Sequence, residues 1–149
     1  MNTGIIARAT AIIHEPVDRV WKALVDPEMI ARYMMGAQVF SDWKEGSPIV
    51  WKGEWKGKAY EDHGQVLKVK EPELLKYSHR SGSDDQGEEH TVTIELKEVA
   101  GVTHLRLTQD NNATEEARQH SEENWNRMLD GLKKVLGEAP VAKPEVPRV

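Results

Sequence analysis

The segment Ala117-Arg118-Gln119-His120-Ser121-Glu122-Glu123-Asn124-Trp125-Asn126-Arg127-Met128, continuing through Leu132, Val135 and Leu136, decides how this chain folds. Ala117, Ser121, Asn124, Trp125, Met128, Leu132, Val135 and Leu136 recur at helical spacing and form one stripe. Asn112 or Thr114 can cap this helix, and Glu115 and Glu116 in its first turn complement the helix dipole. Lys133, Lys134 and Gly137 are expected to end it. At ~1.5 Å per residue the helix is roughly 35 Å long, enough to cross a whole sheet. Its stripe is polar or small at the front and strongly apolar at the back.

Working outward, residues 37 to 109 repeat with period two. Candidate strands run Gln38–Trp43, Pro48–Trp55, Lys58–Lys70, Leu74–Arg80, Glu88–Val99 and Val102–Gln109. Turn chemistry joins them: Glu45-Gly46-Ser47, Lys56-Gly57, Glu71-Pro72, Ser81 through Gly87, and Ala100-Gly101. Short turns between consecutive strands make an antiparallel meander. Val92, Ile94 and Leu96 share one face, as do Thr103, Leu105 and Leu107, so one side of the sheet is buried and the other wet. Ahead of the meander, Ile5 to Ile13 reads as a strand. Val17, Val20, Trp21 and Leu24 then stand at i, i+3, i+4 and i+7 of a short helix, with Pro16 suited to its first turn. Asp26 caps a second short helix that begins at Pro27 and presents Met29, Ile30 and Tyr33. The fold class is therefore α+β. A curved seven-stranded antiparallel sheet wraps around the long C-terminal helix, with two short helices after the first strand.

Composition sets the remaining bounds. The chain has 149 residues, a prior of one domain, and we place that domain at 1–137. Residues 138–149, rich in Pro, lack a periodic apolar face and are expected to be disordered. Leu, Ile, Val and Phe make up about a fifth of the residues, so five Trp and five Met must supply much of the buried area. A formal charge of −5 gives no basis for nucleic-acid binding. The absence of Cys excludes disulfides, thiolate metal sites and a cysteine nucleophile. No run approaches a membrane span and the N-terminus has no signal-peptide pattern, so a cytoplasmic monomer or homodimer is expected.

Pro16-Val17-Asp18-Arg19-Val20-Trp21-Lys22-Ala23-Leu24, Asp26-Pro27-Glu28, Glu45-Gly46, Gly64-Gln65-Val66, Glu71 to Tyr77, and Trp125 with Met128, Leu132 and Leu136 form a pattern over nearly the whole chain. It resembles the START-like (SRPBCC, helix-grip) superfamily, in its branch of homologues of the activator of heat-shock protein 90 ATPase. The resemblance implies a hydrophobic-ligand cavity between sheet and helix. It does not imply chaperone activation in a single-domain member. Two positions depart from the pattern: His79, where relatives often carry an aromatic, and Asn124, where they often carry Gly.

The chemistry-bearing residues point the same way. The six His show no metal-ligand spacing, and no nucleophile turn, phosphate-cradling glycine motif or cofactor motif is present. Asp84-Asp85 and Glu88-Glu89 sit in a Gly/Ser loop, where nothing raises a carboxylate pKa for acid–base work. Trp51 to Lys58 interleaves aromatics with lysines, but Ile49, Trp51, Gly53 and Trp55 share one face, as a core strand requires. His79 follows Leu75 and Tyr77 at period two, which turns all three to the inner face. Trp51, Tyr77, Trp125 and Met128 are the expected apolar contacts of a ligand, with His79 and Asn124 orienting its polar atoms. The expected function is binding of a small hydrophobic or aromatic molecule, with no metal, no cofactor and no catalytic set. Two readings stay open beside it: a polyketide cyclase/aromatase-like enzyme working in the same cavity, and a co-chaperone-like interaction module.

Overall fold

The computed structural model describes residues 4–81 and 89–138. Residues 139–149 of the expected tail lie outside them, as do the loop residues Asp84, Asp85 and Glu88. The elements are β1 (Ala7–Ile13), α1 (Val17–Val25), α2 (Pro27–Tyr33), β2 (Gln38–Phe40), β3 (Pro48–Trp55), β4 (Lys58–Lys70), β5 (Leu74–His79), β6 (His90–Val99), β7 (Val102–Gln109) and α3 (Glu115–Glu138). All seven strands form one antiparallel sheet in the order β1-β7-β6-β5-β4-β3-β2. The first strand therefore closes onto the last, and the meander accounts for the rest.

The alternation expected of the strands is the alternation observed. Val92, Ile94 and Leu96 are buried, as are Thr103, Leu105 and Leu107, while Lys97, His104 and Arg106 face outward. β4 is the long strand that bends the sheet. Its register on β5 shifts between Val66 and Lys68, a bulge that kinks the strand and increases twist. The helices fill the concave side. Val20, Trp21, Ala23 and Leu24 of α1 are buried, as are Leu129, Leu132, Val135 and Leu136 of α3. Gly131 lets α3 approach α2, because a Cβ there would stand only 3.3 Å from Cβ of Tyr33.

Several boundaries differ from the sequence expectation. β1 begins at Ala7 rather than Ile5, because the Ile5 carbonyl instead accepts from the backbone and side-chain nitrogens of Asn112. β2 stops at Phe40 instead of reaching Trp43. Ser41 Oγ accepts the Trp43 backbone N–H at 3.0 Å and Trp43 takes φ 57°, which turns the chain out of the ladder. β5 ends at His79, with Arg80 reduced to an isolated bridge on His63. β6 starts at His90. Pro16 is the N-cap of α1 and lies outside its first turn. α3 is capped by Thr114, whose Oγ1 accepts the Ala117 N–H at 3.0 Å. Asn112 serves instead as a buried joint, donating to Ile5 O and Gln109 O and accepting from Ser121 Oγ. At the far end α3 runs through Gly137, and no basic residue sits in its last turn. Arg19 of α1 supplies the cation there, its Nη2 donating to Leu136 O at 3.3 Å.

Candidate functional site

The inner face of the sheet changes character row by row. Leu75, Ile94 and Leu107 are cross-strand partners and fully apolar. One row on, Tyr77, Val92 and Gln109 are partners, and beyond them His79 faces His90. On the neighbouring strands Trp51 is opposite Asp62, and Gly53 opposite Tyr60. The apolar stripe thus gives way to aromatic and polar side chains toward one end of the sheet. The front of α3, with Ser121, Asn124, Trp125 and Met128, lies across that end.

Between the two is a cavity of about 360 Å³. All six residues singled out from the sequence line it: Trp51, Tyr77 and His79 from the sheet, and Asn124, Trp125 and Met128 from α3. Their roles are not equal. Trp51 and Tyr77 are buried, their ring centroids 5.6 Å apart, and His79 meets the Trp51 ring edge-on at 5.0 Å. Trp125 is half-buried, with its Nε1–H donated to the side-chain oxygen of Gln109. Asn124 is exposed at the rim, and its Oδ1 accepts from Arg127 at 3.0 Å. Ser121 holds Asn112 at 2.9 Å, so part of the polar front of α3 anchors the helix start.

Close packing of strands shapes the aromatic wall. A Cβ on Gly64 would stand 1.9 Å from the Ser78 carbonyl oxygen and 3.1 Å from the Trp51 ring. Gly53 likewise leaves the space that the Tyr60 ring occupies, with the Tyr60 hydroxyl 2.5 Å from where a Cβ would be. Side chains at these two positions would displace the rings.

The sequence reading did not single out Asp62, Tyr60, His90 or Gln109, all of which line the cavity. Asp62 matters most. Its Oδ2 lies 3.0 Å from Nε2 of His79. A carboxylate only accepts, so this contact puts the ring proton on Nε2 and leaves the Nδ1 lone pair of the neutral ring available. His90 is fixed the opposite way, with Nδ1 2.9 Å from the Asp110 carbonyl oxygen. Burial pushes the Tyr77 phenol well above its ordinary range, so it keeps its proton and can donate. The Tyr60 hydroxyl is raised first by partial burial and then by Asp62. Among the described residues no three His, Asp or Glu side chains gather as a metal site, and no helix is long and apolar enough to cross a membrane.

Residues 14–137 match the family described as Activator of Hsp90 ATPase homolog 1-like protein. The chain belongs to that family. A protein of Cytophaga hutchinsonii, ChR145, shares 50% identity, with a TM-score of 0.81 over 96% of this chain and 100% of that one. Protein MLL2253 of Mesorhizobium loti has 21% identity and a TM-score of 0.78, covering 90% of this chain and 98% of its own. CalU16 of Micromonospora echinospora has 20% identity and a TM-score of 0.70, covering 95% and 90%. The last two share the fold. No curated protein matches the chain at a significant level. The family assignment and the helix-grip architecture agree with what the sequence pattern implied.

Proposed function

We propose that this protein binds a small hydrophobic or aromatic molecule in the cavity between the sheet and α3. One observation carries the reading: a space of about 360 Å³ walled by Trp51, Tyr77, Trp125 and Met128, between the sheet and α3. An apolar wall with a few polar groups is the usual make-up of a small-molecule site. Membership of a family built on this fold supports it. His79, Asp62 and Asn124 at the wetter end would orient the ligand's polar atoms.

The test combines a panel of small aromatic and hydrophobic molecules with two readouts, Trp fluorescence and melting temperature. A ligand that binds only the native state raises stability by about 2.7 kcal/mol at one hundred times its Kd. Met128→Trp is expected to fill the cavity and abolish binding, with circular dichroism unchanged. Binding to that variant as tight as to wild type would place the ligand elsewhere. Native mass spectrometry of freshly purified protein checks for a co-purified molecule.

A second reading rests on the contact between His79 and Asp62. An imidazole oriented by a carboxylate suits a general base, as a cyclase-like enzyme acting in the same cavity requires. Turnover of an enolisable aromatic ketone that His79→Gln abolishes, with ligand binding retained, would favour this reading over simple binding. The family's chaperone-related description is a third possibility for which the geometry of the cavity offers no support.

A further inference from the structure

Trp43 stands apart from the other tryptophans. It takes φ 57°, a conformation that a bulky residue rarely adopts, and Ser41 Oγ holds its backbone N–H there. The result is an indole turned into the molecule. Its Nε1–H is buried and meets no acceptor among the described residues, although a buried indole N–H ordinarily finds a partner. Trp43 lines a second, smaller void of about 30 Å³. That void shares Met34, Trp51, Tyr77, Trp125 and Met128 with the larger cavity and so adjoins it.

The polar lining of this small void is uncharged. Trp43, Trp51 and Trp125 line it with indoles that only donate, and Tyr33 and Tyr77 with hydroxyls that both donate and accept. Tyr33 already donates to Ala23 O at 2.9 Å, and Trp125 to Gln109. Among the described residues no charged side chain lines it. The Trp43 N–H is the buried donor left over among the described residues, and a carboxylate entering would be desolvated without a counter-charge. The volume is enough for one small group such as a carbonyl oxygen, being above the roughly 10–15 Å³ that a single water needs on the same measure.

Resting on the binding function above, we propose that the ligand carries a neutral carbonyl oxygen, ketone or amide, which enters the small void and accepts a hydrogen bond from Trp43 Nε1–H. The apolar body of the ligand then fills the larger cavity. Tyr77, kept protonated by burial, is the second donor on the same wall. The left-handed backbone at Trp43 accompanies an indole N–H that meets no acceptor among the described residues.

Three probes of similar size separate the possibilities: benzophenone, diphenylmethane and diphenylacetate. Affinities are measured by Trp fluorescence for wild type and Trp43→Phe, which keeps an aromatic ring but removes the N–H donor together with part of the indole's volume. In parallel, the indole ¹H–¹⁵N resonance of Trp43 in wild type is assigned by its loss in the variant. The expected result is that wild type prefers the ketone over the hydrocarbon by about five- to tenfold, the worth of one net hydrogen bond. Diphenylacetate is expected to bind weakest. Trp43→Phe is expected to erase the preference of ketone over hydrocarbon, with the diphenylmethane affinity of each protein as the reference for lost volume, and benzophenone is expected to shift the Trp43 indole resonance of wild type. Equal binding of ketone and hydrocarbon to wild type, or an indole resonance that benzophenone leaves in place, overturns the carbonyl assignment alone. Failure of all three probes to bind overturns the binding function and the carbonyl assignment with it.

Discussion

At position 64 a single hydrogen separates a formed site from a broken one. The Ser78 carbonyl occupies the space of a Cβ, and a backbone atom cannot swing away as the end of a long side chain can. Gly64→Ala is expected to destabilise by about 1–3 kcal/mol through forced displacement of β4 from β5. Urea unfolding would measure it. The three tyrosines make a second residue-level prediction. Tyr33 is raised far above its ordinary pKa by burial, then by Tyr77 and Asp26, and Tyr77 by burial alone. Both therefore stabilise the fold fully below the pKa of a free phenol, and that contribution is lost as pH rises through their folded values. An alkaline titration followed by tyrosinate absorbance is expected to show Tyr60 ionising in the folded protein. Tyr33 and Tyr77 should ionise only as it unfolds. Tyr77 and His79 were legible because Leu75 sets the parity of their strand. Asp62 and Tyr60 obey the same parity from Val66, but the inner positions of that half of β4 are polar. Hydrophobic periodicity fades where a cavity begins, and the fading is itself the signal.

Among the elements, α3 depends on a contact that the stripe of apolar residues does not reveal. The Glu122 carboxylate accepts the backbone N–H of Arg8 in β1 at 2.9 Å and pairs with Arg118 at 2.8 Å. The Arg8 N–H is the largest influence holding its pKa below the ordinary carboxylate range; partial burial opposes it and Arg118 reinforces it. A depressed folded pKa contributes stability that is present above the unfolded value and disappears as pH falls through the folded one. Wild type is therefore expected to lose melting temperature on acidification more steeply than Glu122→Gln, which starts lower at neutral pH. Equal acid slopes would show that the link carries no weight. The ends of elements were the least readable. Lys133 and Lys134 looked like the helix stop, yet a cation from another element, Arg19, took that place. β2 shortened because one left-handed residue, Trp43, ended it. Both outcomes depend on partners remote in sequence or on a backbone conformation that residue type does not announce.

For the whole molecule, the change of period from 3.6 to two and back was enough to give the layers, since each period has one way to bury its apolar face. The position of the cavity was half-legible: polar residues at the front of α3 marked it, although Ser121 among them serves to anchor Asn112. A further consequence lies at the margins of the sheet. An open seven-stranded sheet has two rims where unpaired backbone groups could recruit another chain. One rim, β2, is only three residues long, and Lys52 stands 5.7 Å over the exposed Phe40 ring on it. The other rim is β1, where Glu122 satisfies the outward N–H of Arg8 and α3 lies alongside. The carboxylate that docks the helix thus also covers a backbone donor on the sheet's edge. Acid that protonates it is expected to loosen α3 from β1 and bare that donor in one event, which light scattering alongside the acid melt would register as aggregation setting in with the loss of melting temperature.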